Sequence, residues 1–165
     1  MDIEEQADKA AARLVEELSE RRYSLALAES CTAGLVSDLI ARVSGASAVL
    51  WGSFVCYSPE AKKKMLRVDS NILEKHGPVS AETAGEMALN ALDISGATIG
   101  ASVTGLAGPL GDGSAAPVGT VFIGIARRVN GEAAADVKPL FFKGSRAEIR
   151  MQAALAVLEH LTNYI

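Results

Sequence analysis

The stretch ALAESCTAGLVSDLIARV, residues 26–43, decides the fold of this chain. Residues 25–28 form a short apolar run typical of a buried strand, and the run ends on Glu29 and Ser30. A helical spacing of apolar residues follows over 32–43. A strand that turns sharply into a helix is the unit from which α/β sheets are built. A carboxylate and a hydroxyl at such a junction either cap the helix or take part in chemistry.

Strand and helix patterns alternate on both sides of this stretch. An amphipathic helix is predicted over 3–20. Further strands are predicted over 24–29, 48–57, 98–105, 119–129 and 134–144, and further helices over 58–66, 81–92 and 145–161. The early alternation favours parallel strands, and Asn130-Gly131 predicts a late antiparallel hairpin. The prediction is one domain over 1–165, a three-layer α/β/α sandwich with a mixed, mostly parallel five-stranded sheet.

Three serines mark predicted helix starts. Ser58 precedes a proline, which is typical of the first helical position, and Ser80 precedes the helix over 81–92. Ser145 and Glu148 have the spacing of a capping box. Gly52, inside the second strand, indicates a bulge.

Composition limits the functional classes. The chain has 165 residues, 49% of them apolar, and a formal net charge of −4, which does not favour binding to nucleic acid. Cys31 and Cys56 are too few for a disulfide framework, and no cluster with metal-ligand spacing is present. No signal peptide or membrane-spanning run is visible, so we expect a cytoplasmic protein without membrane contact, metal or cofactor.

Ser30 and Lys62 are the strongest candidates for chemistry. Ser30 is either a nucleophile at a helix N-terminus, where free N–H groups stabilise an anion, or a helix cap together with Thr32. Lys62 lies near the start of the helix over 58–66, where the helix dipole favours a neutral amine able to act as a base. Tyr57 is either a proton relay or an ordinary strand-end aromatic. Glu29 is either part of the site or bonded to nearby backbone donors.

Two other features fall on the same expected sheet edge. The segment TGLAGPLGDGSAAPVGT, residues 104–120, is a long glycine-rich connection, either a binding loop or a flexible link. Arg146, in the first turn of the last helix, is either an anion ligand or a surface arginine. His76 is expected in a loop and His160 in the last helix, and neither is expected at this edge.

These stretches together resemble the C-terminal domain of the competence/damage-inducible protein CinA, a family that includes stand-alone nicotinamide-nucleotide amidases. The matching motifs are LALAESCTAG, SFVCYSPEAKKKMLRV, HGPVSAETAGEMA, ASVTGLAGP, APVGTVFIGIA and FFKGSRAEIR. The resemblance implies hydrolysis of nicotinamide mononucleotide to nicotinic acid mononucleotide and ammonia. It also implies a homodimer and a stand-alone form without a further N-terminal domain. Trp51 and Phe54, on the second predicted strand, either form a partly exposed apolar patch or pack in the core.

The resemblance also implies roles for single residues. Ser30 is the nucleophile, and Tyr57 and Lys62 handle protons. The residues expected to line the substrate site are Thr32, Gly34, Thr104, Gly105 and Arg146, to which Glu29 is added as a neighbour of Ser30. The chain departs from the family pattern at Ala33, Leu110, Ala116 and Ser145, where glycine, glycine, a basic residue and aspartate are frequent. Two alternatives remain: a non-catalytic module that binds a nucleotide or a protein partner, and an amidohydrolase for another small amide.

Overall fold

The computed structural model describes residues 1–165 and contains six α-helices, one short 3-10 helix (Ala46–Ala48) and five strands. The helices are α1 (Ile3–Arg21), α2 (Leu35–Ala41), α3 (Pro59–Leu66), α4 (Ser70–His76), α5 (Ala81–Ser95) and α6 (Arg146–Tyr164). The strands are β1 (Leu25–Glu29), β2 (Leu50–Val55), β3 (Ile99–Gly105), β4 (Thr120–Val129) and β5 (Glu132–Phe141). No helix is both long enough and apolar enough to cross a membrane.

The five strands form one sheet in the order β2-β1-β3-β4-β5. β1 pairs in parallel with β2 and β3, whereas β4 pairs antiparallel with β3 and β5. Only β4 therefore runs against the other strands. Helices α1, α2 and α6 cover one face of the sheet, and α3, α4 and α5 cover the other. The predicted three-layer sandwich with a mixed, mostly parallel sheet is confirmed.

The two faces of β1 explain how the layers pack. Leu25 and Leu27 point into the larger core with α1, α2 and α6, and Ala26 and Ala28 point towards α5. Small residues on that second face let α5 approach the sheet closely. At Gly100 on β3, a β-carbon would lie 2.3 Å from the carbonyl oxygen of Ala88 on α5. Glycine is therefore needed where helix and strand backbones meet.

The serine caps and the hairpin are confirmed. The Ser58 hydroxyl accepts from the N–H of Ala61, and Asn130-Gly131 joins β4 to β5. Ser80 caps α5, and Ser145 forms both halves of a capping box with Glu148. The bulge is present, but Trp51 is the extra residue beside Gly52, because Leu25 and Ala26 pair with Leu50 and Gly52.

The structure corrects the predicted elements in two places. The helix predicted over 32–43 spans only Leu35–Ala41, because the chain first makes a turn through Ala33 and Gly34 with positive φ. α4 was not predicted, and His76 ends this helix instead of lying in a loop. Its start is fixed by Asp69, whose carboxylate accepts from the N–H of Asn71.

The parallel strands bring their carboxyl ends to one edge. Glu29 pairs with Val55 on one side and with Val103 on the other. The residues that follow β1, β2 and β3 therefore start from the same level of the sheet. This is the edge at which open α/β sheets bind their ligands.

Candidate active site

A pocket of about 640 Å³ lies at this edge, within the range typical of small-molecule sites. Ser30, Cys31 and Lys62 line it beside the sheet, and Tyr57 and Arg146 line it on the outer side. The remaining lining residues come from the start of α3, from the turn before α5 and from the glycine-rich loop: Pro59, Pro78, Val79, Gly105, Leu106, Ala107, Gly108, Leu110, Gly111, Asp112, Gly113 and Ser114. The glycine-rich connection therefore forms one wall of the pocket.

Ser30 and Lys62 form a buried pair in this pocket. The Ser30 Oγ lies 2.8 Å from the Lys62 Nζ, although the residues are far apart in the sequence. Ser30 is 6% exposed and Lys62 is 1% exposed. The amine also donates to the carbonyl oxygen of Cys56 at 3.2 Å, and it has no carboxylate partner. The hydrogen bonds of the Lys62 amine are therefore limited to one hydroxyl and one carbonyl oxygen.

Burial lowers the pKa of Lys62 below its usual value, because a charged ammonium loses its water there and gains no opposite charge. Burial also raises the pKa of the Cys31 and Cys56 thiols to about 11. Both thiols therefore stay protonated at neutral pH and bring no negative charge to the amine. The site favours a neutral Lys62, which is the form that accepts a proton.

Glu29 holds the turn that carries Ser30. Its Oε2 accepts from the N–H groups of Gly34 and Val36, and its Oε1 accepts from the N–H of Ser37, each at 3.0 Å. The hydroxyls of Thr32 and Ser53 donate to the same carboxylate at 2.7 and 3.0 Å. The expectation that free N–H groups at the start of α2 bind an anion is wrong, because Glu29 occupies them.

The turn itself requires an unusual backbone. Gly34 has a φ of +94° and Ala33 has a φ of +50°. Such angles are ordinary for glycine and cost a residue with a β-carbon roughly 1–2 kcal/mol. Alanine at position 33 therefore keeps the turn at some cost in stability.

Arg146 closes the outer side of the pocket. Its guanidinium donates to the carbonyl oxygen of Gly108 at 2.7 Å and to the hydroxyl of Tyr57. It thereby links α6, the glycine-rich loop and the end of β2. Tyr57 is 55% exposed, and its hydroxyl bonds to neither Ser30 nor Lys62.

The predicted site residues fall into two groups. Ser30, Lys62, Tyr57, Gly105 and Arg146 line one pocket. The other predicted residues, Glu29, Thr32, Gly34 and Thr104, do not line it.

Residues of this second group instead support the pocket walls. Thr32 binds Glu29, and the Thr104 hydroxyl donates to the carbonyl oxygen of Pro78, next to Val79 on the pocket wall. Neither His76 nor His160 lines the pocket. No group of three or more His, Cys, Asp or Glu side chains is placed to hold a metal ion.

Sequence reasoning missed two residues of the site region. Asp112 is the only acidic side chain that lines the pocket. Arg150 lies one helical turn after Arg146, and it binds the carbonyl oxygens of Cys31 and Thr32. The spacing of four residues places the two arginines on one face of α6, and this spacing is the sequence feature that could have indicated Arg150.

The fold and the pocket define an α/β/α domain with a buried serine–lysine pair at the carboxyl edge of its sheet. The family model for the CinA C-terminal domain matches residues 7–165, and the chain belongs to this family.

Relatives and solved structures agree with this assignment. The chain is 41% identical over 148 residues to a CinA-like protein of Thermotoga sp. strain RQ2, and 42% identical over 148 residues to a putative competence-damage inducible protein of Caldicellulosiruptor bescii. Each match covers 90% of this chain but only 35% of the relative, so the chain spans about a third of their length.

Among solved structures, a competence damage-inducible protein A from Klebsiella pneumoniae superimposes with a TM-score of 0.90, 29% identity and 95% coverage of each chain. A competence/damage inducible protein from Agrobacterium tumefaciens superimposes with a TM-score of 0.86 and 35% identity, covering 94% of this chain and 93% of that one.

Proposed function

We propose that this protein is a serine amidohydrolase that converts nicotinamide mononucleotide to nicotinic acid mononucleotide and ammonia. The observation that carries the proposal is the 2.8 Å contact between the Ser30 Oγ and the Lys62 Nζ, buried at the pocket wall. An amide is a poor electrophile, so its hydrolysis needs an activated nucleophile. A neutral lysine next to a serine supplies that activation.

The reaction proceeds in two halves. Lys62 takes the proton of the Ser30 hydroxyl while the Oγ bonds to the carboxamide carbon. The tetrahedral intermediate then collapses, the C–N bond breaks, and Lys62 returns the proton to the departing ammonia. In the second half Lys62 deprotonates a water molecule, which attacks the ester carbon. When this second intermediate collapses, the C–Oγ bond breaks and Lys62 returns the proton taken from water to the Oγ, which releases the acid and restores the Ser30 hydroxyl.

The outer side of the pocket suits the rest of the substrate. Arg146 carries a permanent positive charge and lies in none of the ion pairs of the protein. In this proposal its guanidinium binds the phosphate of the nucleotide. Tyr57, which holds the guanidinium from the other side, offers an exposed ring against the substrate. Its expected role in proton transfer stays a prediction.

The test is ammonia release together with loss of the nucleotide, followed for wild type and Ser30→Ala. Wild type should release ammonia and nicotinic acid mononucleotide in equal amounts, and Ser30→Ala should release neither. Ser47→Ala, on an exposed turn away from the pocket, is the matched control and should behave as wild type. Equal rates in wild type and Ser30→Ala would refute the proposed nucleophile.

A second candidate is the hydrolysis of a less charged amide. The observation that favours it is the charge of the pocket wall: Asp112 is the only charged residue of the glycine-rich loop that lines the pocket. A carboxylate there repels a phosphate. Comparison of nicotinamide mononucleotide with nicotinamide riboside, which lacks the phosphate, separates the two candidates. A higher kcat/KM for the riboside would favour the second.

A further inference from the structure

The turn that carries Ser30 leaves two backbone donors unused. The N–H of Ser30 donates to the carbonyl oxygen of Val103 at 3.0 Å, and the N–H of Ala33 donates to that of Ser30 at 3.1 Å. The N–H groups of the next residues bind Glu29 or Thr32. The N–H groups of Cys31 and Thr32 donate to no other residue. They directly follow the proposed nucleophile.

Arg150 binds this turn from the opposite helix. From α6, its Nε donates to the carbonyl oxygen of Cys31 at 3.0 Å, and its Nη2 donates to that of Thr32 at 2.7 Å. The residue is half-buried and forms no ion pair with any carboxylate. A planar guanidinium with two parallel donors therefore fixes two successive peptide groups.

The geometry of the peptide bond connects the two observations. In a trans peptide the C=O and the following N–H point in opposite directions. A Cys31 carbonyl held towards Arg150 therefore directs the N–H of Thr32 away from the guanidinium. The Ser30 carbonyl oxygen accepts from the N–H of Ala33, which directs the N–H of Cys31 away from Ala33 in the same way. The orientation of both free donors is thus fixed by contacts on the far side of their peptides.

We infer that the Cys31 N–H, on the pocket wall next to Ser30, is the oxyanion-hole donor for the reaction of Ser30, and that Arg150 is the residue that positions the turn carrying it. The inference rests on the proposed function. When Ser30 attacks, the electron pair of the carbonyl bond moves to its oxygen, and donors fixed in advance stabilise that charge without reorganisation. Arg150 touches neither the substrate nor Ser30 Oγ; it acts through the turn.

Arg150→Lys and Arg150→Met test this role by steady-state kinetics with nicotinamide mononucleotide. Loss of one oxyanion donor typically lowers kcat by about 10²–10³-fold. We expect a fall of at least about 10-fold for Arg150→Lys, which keeps the charge but loses the fork, and a larger fall for Arg150→Met, with KM within about 3-fold of wild type. Arg128→Lys, whose arginine binds Asp93 on the surface, is the matched control and should keep its kcat.

A second measurement does not depend on the amide substrate. A fluorophosphonate probe reacts when the serine Oγ bonds to phosphorus and fluoride leaves with the hydroxyl proton, and its phosphoryl oxygen needs the same donor. Wild type should be labelled at Ser30, Arg150→Met at least about 10-fold more slowly, and added methylguanidinium should restore part of the labelling rate of Arg150→Ala. Melting temperatures show whether each variant is folded. If Arg150→Met and Arg150→Ala do not fold, the labelling rate of Arg150→Lys is compared with that of wild type instead.

The outcomes separate the inference from the proposed function. Labelling of Ser30 that depends on Arg150, in a protein inactive on the nucleotide, would refute the substrate and support the oxyanion role. Equal labelling rates and equal kcat in wild type and folded Arg150 variants would overturn the inference while leaving the amidase intact. A fall in kcat that tracks only a lower melting temperature, and vanishes on cooling, would also overturn it.

Discussion

The two sides of the pocket differ in burial and in how their side chains are held. On the inner side, Ser30 and Lys62 are buried, and the turn that carries Ser30 is fixed by Glu29. On the outer side, Tyr57 is exposed and is bound to Arg146, which also donates to the carbonyl oxygen of Gly108 in the glycine-rich loop. In the proposed function, the inner side carries out the chemistry, and the outer side binds the part of the substrate that lies away from the amide. The predictions below separate these two roles.

Lys62→Met should have the largest effect. Methionine fills the buried space of lysine without an amine, so the general base is lost while the packing is kept. We expect ammonia release to fall by about 10³-fold, within the usual range for a general base. Lys63→Met, at the next and less buried position, is the control. Retention of more than a tenth of the activity in Lys62→Met would remove lysine from the mechanism.

Glu29→Gln should damage the inner side through the turn. The amide nitrogen of glutamine would face N–H groups that now donate to a carboxylate. We expect the free energy of unfolding to fall by about 2–4 kcal/mol, as for a buried charged acceptor whose partners are left unpaired. Urea unfolding measures this loss. An exposed carboxylate on α3, Glu60, gives the control Glu60→Gln, and equal stability of both variants would contradict the role of Glu29 as the support of the turn.

Tyr57→Phe should have a modest effect on activity, and it distinguishes two possible roles of the Tyr57 hydroxyl. If the hydroxyl only holds Arg146, its removal should raise KM by about 2–10-fold, the loss of one hydrogen bond, with little change in kcat. If Tyr57 transfers protons, as the family resemblance implies, kcat should fall by about 10²-fold or more. Steady-state kinetics at saturating substrate decide between them.

Asp112→Asn should have the smallest effect and should sharpen the account of the outer side. Removal of the carboxylate reduces repulsion of the substrate phosphate, so KM for nicotinamide mononucleotide should fall by about 2–5-fold at low salt. KM for nicotinamide riboside should not change. A change of equal size for both substrates would show that Asp112 does not sense the phosphate.

Much of this arrangement was readable from the sequence because it depends on local patterns. The apolar run over 25–28, the hairpin at Asn130-Gly131 and the serine caps all reflect preferences of a few neighbouring residues. Ser30 and Lys62 could be placed at one edge of the sheet because parallel strands end at the same edge, which is where such sheets bind ligands. The sequence could not show that the two side chains meet, because residues 32 positions apart are brought together only by tertiary packing.

The sequence did not show which side chains would compete for the same backbone N–H groups. The start of α2 was expected to offer free N–H groups, but Glu29 reaches them across the turn. Glu29 was therefore grouped with substrate-binding residues, although it lies outside the pocket lining. The spacing of Arg150 from Arg146 places both on one face of α6, but the carbonyl partners of Arg150 could not be identified from the sequence, because main-chain groups carry no residue-specific pattern.

The central claim is that Lys62 acts as a neutral base, and the pH dependence of kcat/KM for ammonia release from nicotinamide mononucleotide tests it most directly. Below its pKa Lys62 carries a proton and cannot accept another, so activity should fall as the pH is lowered. Burial lowers this pKa from its usual 10.5, and the account predicts a plateau reached well before that pH. Activity that keeps rising to pH 10.5 and beyond would contradict the account, because Lys62 would then be an ordinary, charged lysine at neutral pH.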